Sequence, residues 1–446
     1  MRDLVLLLGC LAMLPAAIRH VHIGVMLWAW SGFLAPADRV WGFMAVVPLN
    51  KVFAAVTVLA LVFGRDAQRP YLDATMALML VLLPLGLLSA STAISDSPEV
   101  WVMFEKTVKI VLLCFVVTMA MQSRLRLHSL LLAIAVGLGL AGVWEGMAFI
   151  ASGGSHRVQG LTTLGDNNQF ALAILMLLPP LFYLYRQTQG RVARLGLLGA
   201  LLLSTVSVVA AFSRGGFIGL LVLALGFASA SRRSLARLAL LAGLAAVLLT
   251  LAPPAWFERI GTIGSANQDA SFMERIGAWK ISLLVALDYP LLGGGFHSVQ
   301  DPEVWDRYRN AAQTMEFPST AEIGAAHAPH SIYFEVLSDL GFPGLFLFLG
   351  LMASGLWNGR VIRRLAHGDP GLGWARDLAS TLQASILVYG VSGAALSMAY
   401  FELFYLILAV LSVLRRMIEG GLAHDQKDLA GQQAQVAGPY REVVGQ

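Results

Sequence analysis

The stretch "HSLLLAIAVGLGLAGVWEGMAFI", residues 128–150, decides the fold. Glu145 is its one acidic residue and no Lys or Arg interrupts it. An α-helix rises about 1.5 Å per residue, so a run of this length covers the roughly 30 Å hydrocarbon core of a bilayer. Comparable runs recur at 3–18, 22–35, 42–64, 73–93, 98–121, 167–186, 194–212, 215–230, 234–252, 330–357, 376–397 and 399–415. Lipid admits only segments that satisfy their own backbone hydrogen bonds. The chain therefore reads as an all-α polytopic membrane protein with 12 or 13 transmembrane helices. The uncertainty of one lies in the first two runs, which are short and form two spans, a bent pair or one re-entrant unit.

Composition agrees. Of 446 residues, 57% are hydrophobic and 13% charged, about half the charged share of a soluble protein, and the mean hydropathy is +0.70. The N-terminal "MRDLVLLLGCLAML" lacks a strongly basic start and a clear cleavage site, so it reads as a retained membrane segment. Cys10 and Cys114 both lie in apolar runs, which suggests neither a disulfide framework nor a cysteine metal site. The net charge of +4 does not indicate a nucleic-acid partner, because the basic residues have a topological role.

That role shows in the short connections. Alternate loops carry Arg65 and Arg69; Arg124 and Arg126; Arg186, Arg191 and Arg194; Arg232, Arg233 and Arg237; Arg360, Arg363 and Arg364; Arg415 and Arg416 follow the last run. With the spans counted as above, all fall on one side, which the positive-inside rule makes cytoplasmic. Four regions follow: an N-terminal transmembrane bundle (1–252), a large outer loop (253–329), C-terminal transmembrane helices (330–417) and a polar cytoplasmic tail (418–446). Within the outer loop, "DASFMERIGAWKISLLVAL" reads as an amphipathic helix at the interface, followed by the glycine-rich "LLGGGFHS".

Charged groups inside membrane runs are costly and should face one another or water. Here they lie toward the outer ends: Lys51 about eight residues in, roughly 12 Å, with Glu105, Lys106 and Lys109 at similar depth. Glu145, Glu402 and the "GDNNQ" that holds Asp166, Asn167 and Asn168 lie nearer the outer face. The inner half is comparatively bare, so the expectation is a polar cavity open outward. A carrier would place such groups at the midplane and on both sides.

Three outer elements carry candidate chemistry. In "SRGGF", Ser213 and Arg214 precede two glycines; a guanidinium beside bare backbone suits phosphate oxygens, and equally an Arg can anchor a helix at the interface. Arg275 and Lys280, in "MERIGAWK", either bind an anion or touch headgroups. In "HAPHSIYFEVLSDLGFPG" (327–344), Pro329 fits a first helical turn, placing His330 near a helix N-terminus whose dipole keeps imidazole neutral. A neutral imidazole beside anion-binding arginines is a general base for attack on a glycosyl phosphate; the other reading is a histidine capping the loop. His327 lies further out in the loop, Glu335 could orient an arginine or lysine, and Asp339 could cap the approach to Gly341. His327 and His330 lack the i, i+4 spacing of a helical zinc pair, and no nucleotide-binding glycine motif occurs.

"SRGG", "RIGAWKISLLVALDYPLLGGGF" and "HSIYFEVLSDLGFPG", in this order on one side, resemble the signature blocks of the O-antigen ligase and polymerase superfamily, and "DNNQFAL" resembles a looser fourth. "MRDLVLLLG" and "LSMAYFELFYLILAVL" look more particularly like the O-glycosylation ligases associated with exosortase A systems, in which exopolysaccharide is made. The resemblance implies a multi-pass enzyme of the bacterial inner membrane whose site faces the periplasm. Such an enzyme moves a glycan from undecaprenyl diphosphate to an acceptor hydroxyl, on protein, lipid or glycan, without metal, nucleotide or other cofactor. Carried over by motif, Arg214 and Arg275 would bind the diphosphate and His330 would activate the acceptor. Ser213, Lys106, Asn168 and Glu335 are the expected substrate-binding residues. Ser331 stands where many such ligases have Asn. A polymerase shares this donor chemistry, and a transporter of lipid-linked sugars is the alternative of another class.

Overall fold

The computed structural model describes residues 1–63, 67–159, 164–229, 270–316 and 323–441, and counts or absences below refer to these described residues. The expected span 234–252, the loop residues 253–269, and Arg65, Arg232, Arg233 and Arg237 lie outside them. Fourteen α-helices are described: α1 (Arg2–Arg19), α2 (Val21–Leu34), α3 (Leu49–Phe63), α4 (Ala74–Ser91), α5 (Glu99–Ala120), α6 (Arg124–Ala151) and α7 (Asn167–Gln187) come first. They are followed by α8 (Arg191–Ala210), α9 (Arg214–Ser229), α10 (Ala270–Asp288), α11 (Pro302–Thr314), α12 (Ile332–Leu365), α13 (Gly373–Ser392) and α14 (Glu402–Arg441).

The protein is an all-α membrane protein, with no strand among the described residues. Six segments are long and apolar enough to cross a membrane: α4, α6, α7, α8, α12 and Pro370–Ala395, which contains α13. Helices α2, α3 and the Arg214–Phe227 part of α9 are apolar but shorter.

Helix starts follow local chemistry. Asp73, Ser123 and Asp166 cap α4, α6 and α7 by accepting the N–H of Met76, Arg126 and Gln169. Two expectations are corrected here. The run 42–64 is not one helix: Phe43–Val46 forms a 3₁₀ turn and α3 begins at Leu49, so Lys51 lies in its first turn rather than eight residues deep. Proline at position 48 supports that break, since it cannot donate into a preceding turn. In addition, α12 begins at Ile332, so Pro329 and His330 stand before the helix rather than in its first turn.

Packing separates a protein-bound centre from a lipid-facing ring. Every residue from Phe170 to Leu177 of α7 is buried, as is nearly all of α14 from Leu403 to Leu414. An all-round apolar helix is one surrounded by other helices. Helix α8 instead exposes Val192, Leu195 and Leu202, and α4 exposes Val81, Leu87 and Leu88. The expected amphipathic helix, α10, packs against α12 and α11. Ala278, Ile281 and Val285 of α10 share a small separate core with Val304, Trp305 and Tyr308 of α11 and with Ile323. Helix α14 runs from the last apolar run on into the polar tail, as far as Arg441.

Basic connections gather at one end. Arg124 donates to Gln187 (3.0 Å), Arg186 pairs with Asp377 (3.6 Å), and Arg415 donates to Asn358 (3.0 Å). The starts of α6 and α13 therefore meet the ends of α7, α12 and the apolar part of α14. The residues 166–169, 210–216, 330 and 392–401 occupy the other end of those same helices.

Candidate active site

At that second end four chain segments converge. The α8–α9 turn is fixed by Asn167 Nδ2, which donates to the Ala211 carbonyl (2.6 Å), and by Ser392 Oγ, which donates to the Gly215 carbonyl (3.1 Å). Phe212 takes a left-handed conformation (φ 50°) that reverses the chain. Ser213 then caps α9, accepting the Gly216 N–H at 3.0 Å. Arg214 is the first residue of α9, so guanidinium and positive helix end stand together, a pairing suited to an anion. The glycines serve packing: a Cβ at Gly216 would lie 3.1 Å from Ala171 of α7.

The relation between Arg275 and His330 rests on Trp279. Arg275 and Trp279 are four residues apart on α10 and so share a face. The Trp279 ring stacks on Phe334 of α12 (5.2 Å between centroids, 5° between planes), and its Nε1–H donates to the Pro329 carbonyl at 2.8 Å. The residue after that carbonyl is His330. An Arg one turn from such an anchor is thereby held beside the histidine, and the Arg275 charge acts on His330.

His330 is fixed in a left-handed backbone conformation (φ 50°), unusual outside glycine. Its N–H donates to Ser397 Oγ (2.8 Å), and the Ser397 carbonyl accepts from Gln169 Nε2 (3.1 Å). Burial pushes the imidazole below its ordinary pKa, as do the Arg275 guanidinium and the neighbouring His327; Asp166 and Glu335 oppose them. The result is a neutral imidazole at neutral pH. His327 buttresses it, its ring 6.0 Å from His330 and 4.8 Å from Trp305. Ser331, 1% exposed, occupies the N-cap position of α12 without a side-chain cap bond.

The expected substrate-binding residues fall in different places. Asn168 is at the mouth of α7, its Nδ2 3.5 Å from Asp166 Oδ2, and Ser213 is committed to its cap. Lys106, on α5, is a charge neighbour of His297 and Glu402. Glu335 points inward: one carboxylate oxygen accepts the Ala399 N–H (2.9 Å) and the other lies 3.5 Å from His297 Nε2. Its close partners are thus a histidine and a backbone amide, where the sequence had suggested an arginine or lysine. Asp339 accepts from the His297 N–H (3.0 Å) and from Tyr400 OH (3.1 Å) rather than capping Gly341. Other charged groups toward this end pair among themselves: Lys51 and Lys109 with Glu105 (3.2 and 3.1 Å), and His156 with Glu145 (2.6 Å).

Trp279, Ser397, Gln169 and His297 were not among the site residues expected from sequence. The i, i+4 spacing of Arg275 and Trp279 was a usable signal. Two acids in the first turns of α12 also called for polar partners, and His297 supplies its N–H to Asp339 and its ring to Glu335. Ser397 gave none, because its partners are remote in the chain. A cavity of about 550 Å³ lined by Arg360, Arg363, Arg364 and His367 lies at the far end of α12, away from His330.

Comparison with known families bears on both halves. Residues 1–185 match the model described as "Family of unknown function (DUF5935)", and residues 199–349 match the model of "O-Antigen ligase". No curated protein matches the chain. The matched ligase region contains Arg214, Arg275 and His330 together. That match supports the O-antigen ligase superfamily for residues 199–349.

Proposed function

We propose that the protein is a glycan ligase that moves a glycan from an undecaprenyl-diphosphate carrier to an acceptor hydroxyl at the periplasmic face of the bacterial inner membrane. The observation that carries this reading is the placement of a neutral imidazole beside Arg275 by the Trp279–Pro329 contact. His330 takes the proton of the acceptor hydroxyl as its oxygen attacks the anomeric carbon. The bond from that carbon to the phosphate oxygen breaks, and its electron pair leaves with undecaprenyl diphosphate. Arg214 and Arg275 stabilise the growing charge on the leaving diphosphate, and the positive end of α9 adds to them. The proton on His330 then passes to solvent or to the released diphosphate. Every step is served by this chain's own residues. The O-antigen ligase match of residues 199–349 supports a membrane ligase of the glycosyltransferase type.

The test is direct. The purified full chain in lipid nanodiscs is given an undecaprenyl-diphosphate glycan and a panel of hydroxyl acceptors: protein, lipid and lipid-linked glycan. Glycan transfer with release of undecaprenyl diphosphate is expected, and His330→Ala is expected to abolish it while leaving the protein in the membrane. Normal transfer by that variant refutes the base assignment; transfer only to a second lipid-linked glycan makes the enzyme a polymerase.

A further inference from the structure

Between α10 and α11 the chain passes through "PLLGGGFHS", residues 290–298, and this turn docks backbone to backbone on α12. Gly294 N–H donates to the Ser338 carbonyl (2.7 Å), Gly295 N–H to the Asp339 carbonyl (3.2 Å), and Phe342 N–H to the Pro290 carbonyl (3.0 Å). The receiving surface is the break in α12 at Gly341 (φ 66°, ψ −167°). His297 closes the joint. Its left-handed backbone (φ 57°) turns both ends of the residue toward α12: the N–H donates to Asp339 Oδ1 at 3.0 Å, and the ring Nε2 lies 3.5 Å from Glu335 Oε1.

We propose that His297 is a positioning residue of the transfer site, clamping the end of α10 to the helix that follows His330 and so fixing Arg275 against the base. The inference rests on the ligase reading above. Helix α10 is held to α12 at two points, the Trp279 contact one turn from Arg275 and the glycine-rich turn at its C-terminal end. Without the second, α10 pivots about the first and Arg275 shifts relative to His330. Glu335 transmits the same restraint to the other side of the site. Its second oxygen holds Ala399, two residues from the Ser397 hydroxyl that accepts the His330 N–H.

The charges facing His297 are Glu335 and Asp339 from α12 and Lys106 from α5; Tyr400, from the α13–α14 connection, shares Asp339. Burial works against charging His297, but the Glu335 bond and the Asp339 and Glu335 charges outweigh burial and Lys106, and its pKa rises above the ordinary value. The clamp therefore favours the protonated imidazole more than an isolated histidine does. A raised folded-state pKa means its contribution is complete below the ordinary value, about 6.5, and is lost as pH rises through the raised one. His330 is shifted the opposite way, so the two histidines of one site are pushed apart in their affinity for a proton.

The experiment uses the full chain in nanodiscs with undecaprenyl diphosphate as the probe, from pH 6 to pH 9. His297→Asn removes the ring but tolerates the left-handed backbone, and His297→Lys keeps a cation. Wild type is expected to bind more weakly as the pH rises. His297→Asn should bind about tenfold more weakly than wild type at pH 6, the size of one lost charge-assisted contact, and lose the pH dependence. Hydrogen exchange across residues 290–300 should rise in His297→Asn, and His297→Lys should restore both properties. Unchanged exchange in His297→Asn overturns the clamp, and faster exchange with wild-type affinity reduces His297 to a structural residue and overturns its positioning role. If wild type fails to bind the probe while the exchange effect holds, the donor reading is what fails.

Discussion

Replacing Gly341 by Ala probes the joint on which the site is built. Gly341 combines φ 66° with ψ −167°, a region that side chains other than glycine's hardly enter; holding one there costs about 1–3 kcal/mol. An added Cβ would also sit 2.6 Å from the Pro290 carbonyl oxygen and 2.9 Å from the Gly293 nitrogen. Both are backbone atoms, so no side chain can swing aside. The two segments must part, which breaks the Phe342 to Pro290 and Gly294 to Ser338 hydrogen bonds, each worth about 0.5–1.5 kcal/mol net. Together these effects give about 2–6 kcal/mol. Melting of the purified protein in detergent should fall by about 2–6 °C, and glycan transfer should fall further, because Arg275 moves away from His330. Gly293→Ala meets the Asp339 carbonyl oxygen at 2.6 Å from the facing side. Since either substitution opens the same joint, the double variant should lose far less than the sum. Gly196→Ala, whose Cβ meets nothing within 4 Å, is the control. Gly341→Ala melting and transferring like wild type would refute the reasoning.

Trp279→Phe keeps the stack on Phe334 but loses the bond to the Pro329 carbonyl; at about 1–1.5 kcal/mol, transfer should drop roughly tenfold with little change in melting. Arg214→Lys should be severely impaired in transfer assays despite the retained charge, because an ammonium cannot contact phosphate bidentately. Arg275→Gln removes a positive charge that depresses the His330 pKa, so that pKa rises. Transfer is lost when His330 is protonated, so the acidic limb of the pH–rate profile should move to higher pH in this variant; an unmoved limb would separate Arg275 from His330.

The sequence made some of this architecture legible and concealed the rest for physical reasons. Apolar length identified the membrane helices, because lipid imposes that pattern on each segment separately. Arg214, Arg275 and His330 stood out since each is a charged or titratable group at the edge of an apolar run. The start of α12 was misplaced because Pro329 looks like a first-turn proline, whereas the Trp279 bond to its carbonyl holds it outside the helix. The break at 42–48 was marked in the sequence by Pro48 but read through, because apolar residues flank it on both sides. His297 and Ser397 escaped notice because their partners, Glu335, Asp339 and His330, lie tens of residues away, where no periodicity reports them.

The enclosure of α7 from Phe170 to Leu177 has a consequence for how this chain tolerates change. A helix with a lipid face offers evolution a strip where one large apolar residue replaces another freely, so tolerance along α8 should rise and fall every three to four positions. From Phe170 to Leu177 no such strip exists. Its permitted substitutions should be sparse at every angle around the axis, with no helical rhythm. In a deep mutational scan this part of α7 would look less like a membrane span than like the central strand of a soluble enzyme, and the polar mouth at Asn167–Gln169 would stand on a post that admits little variation.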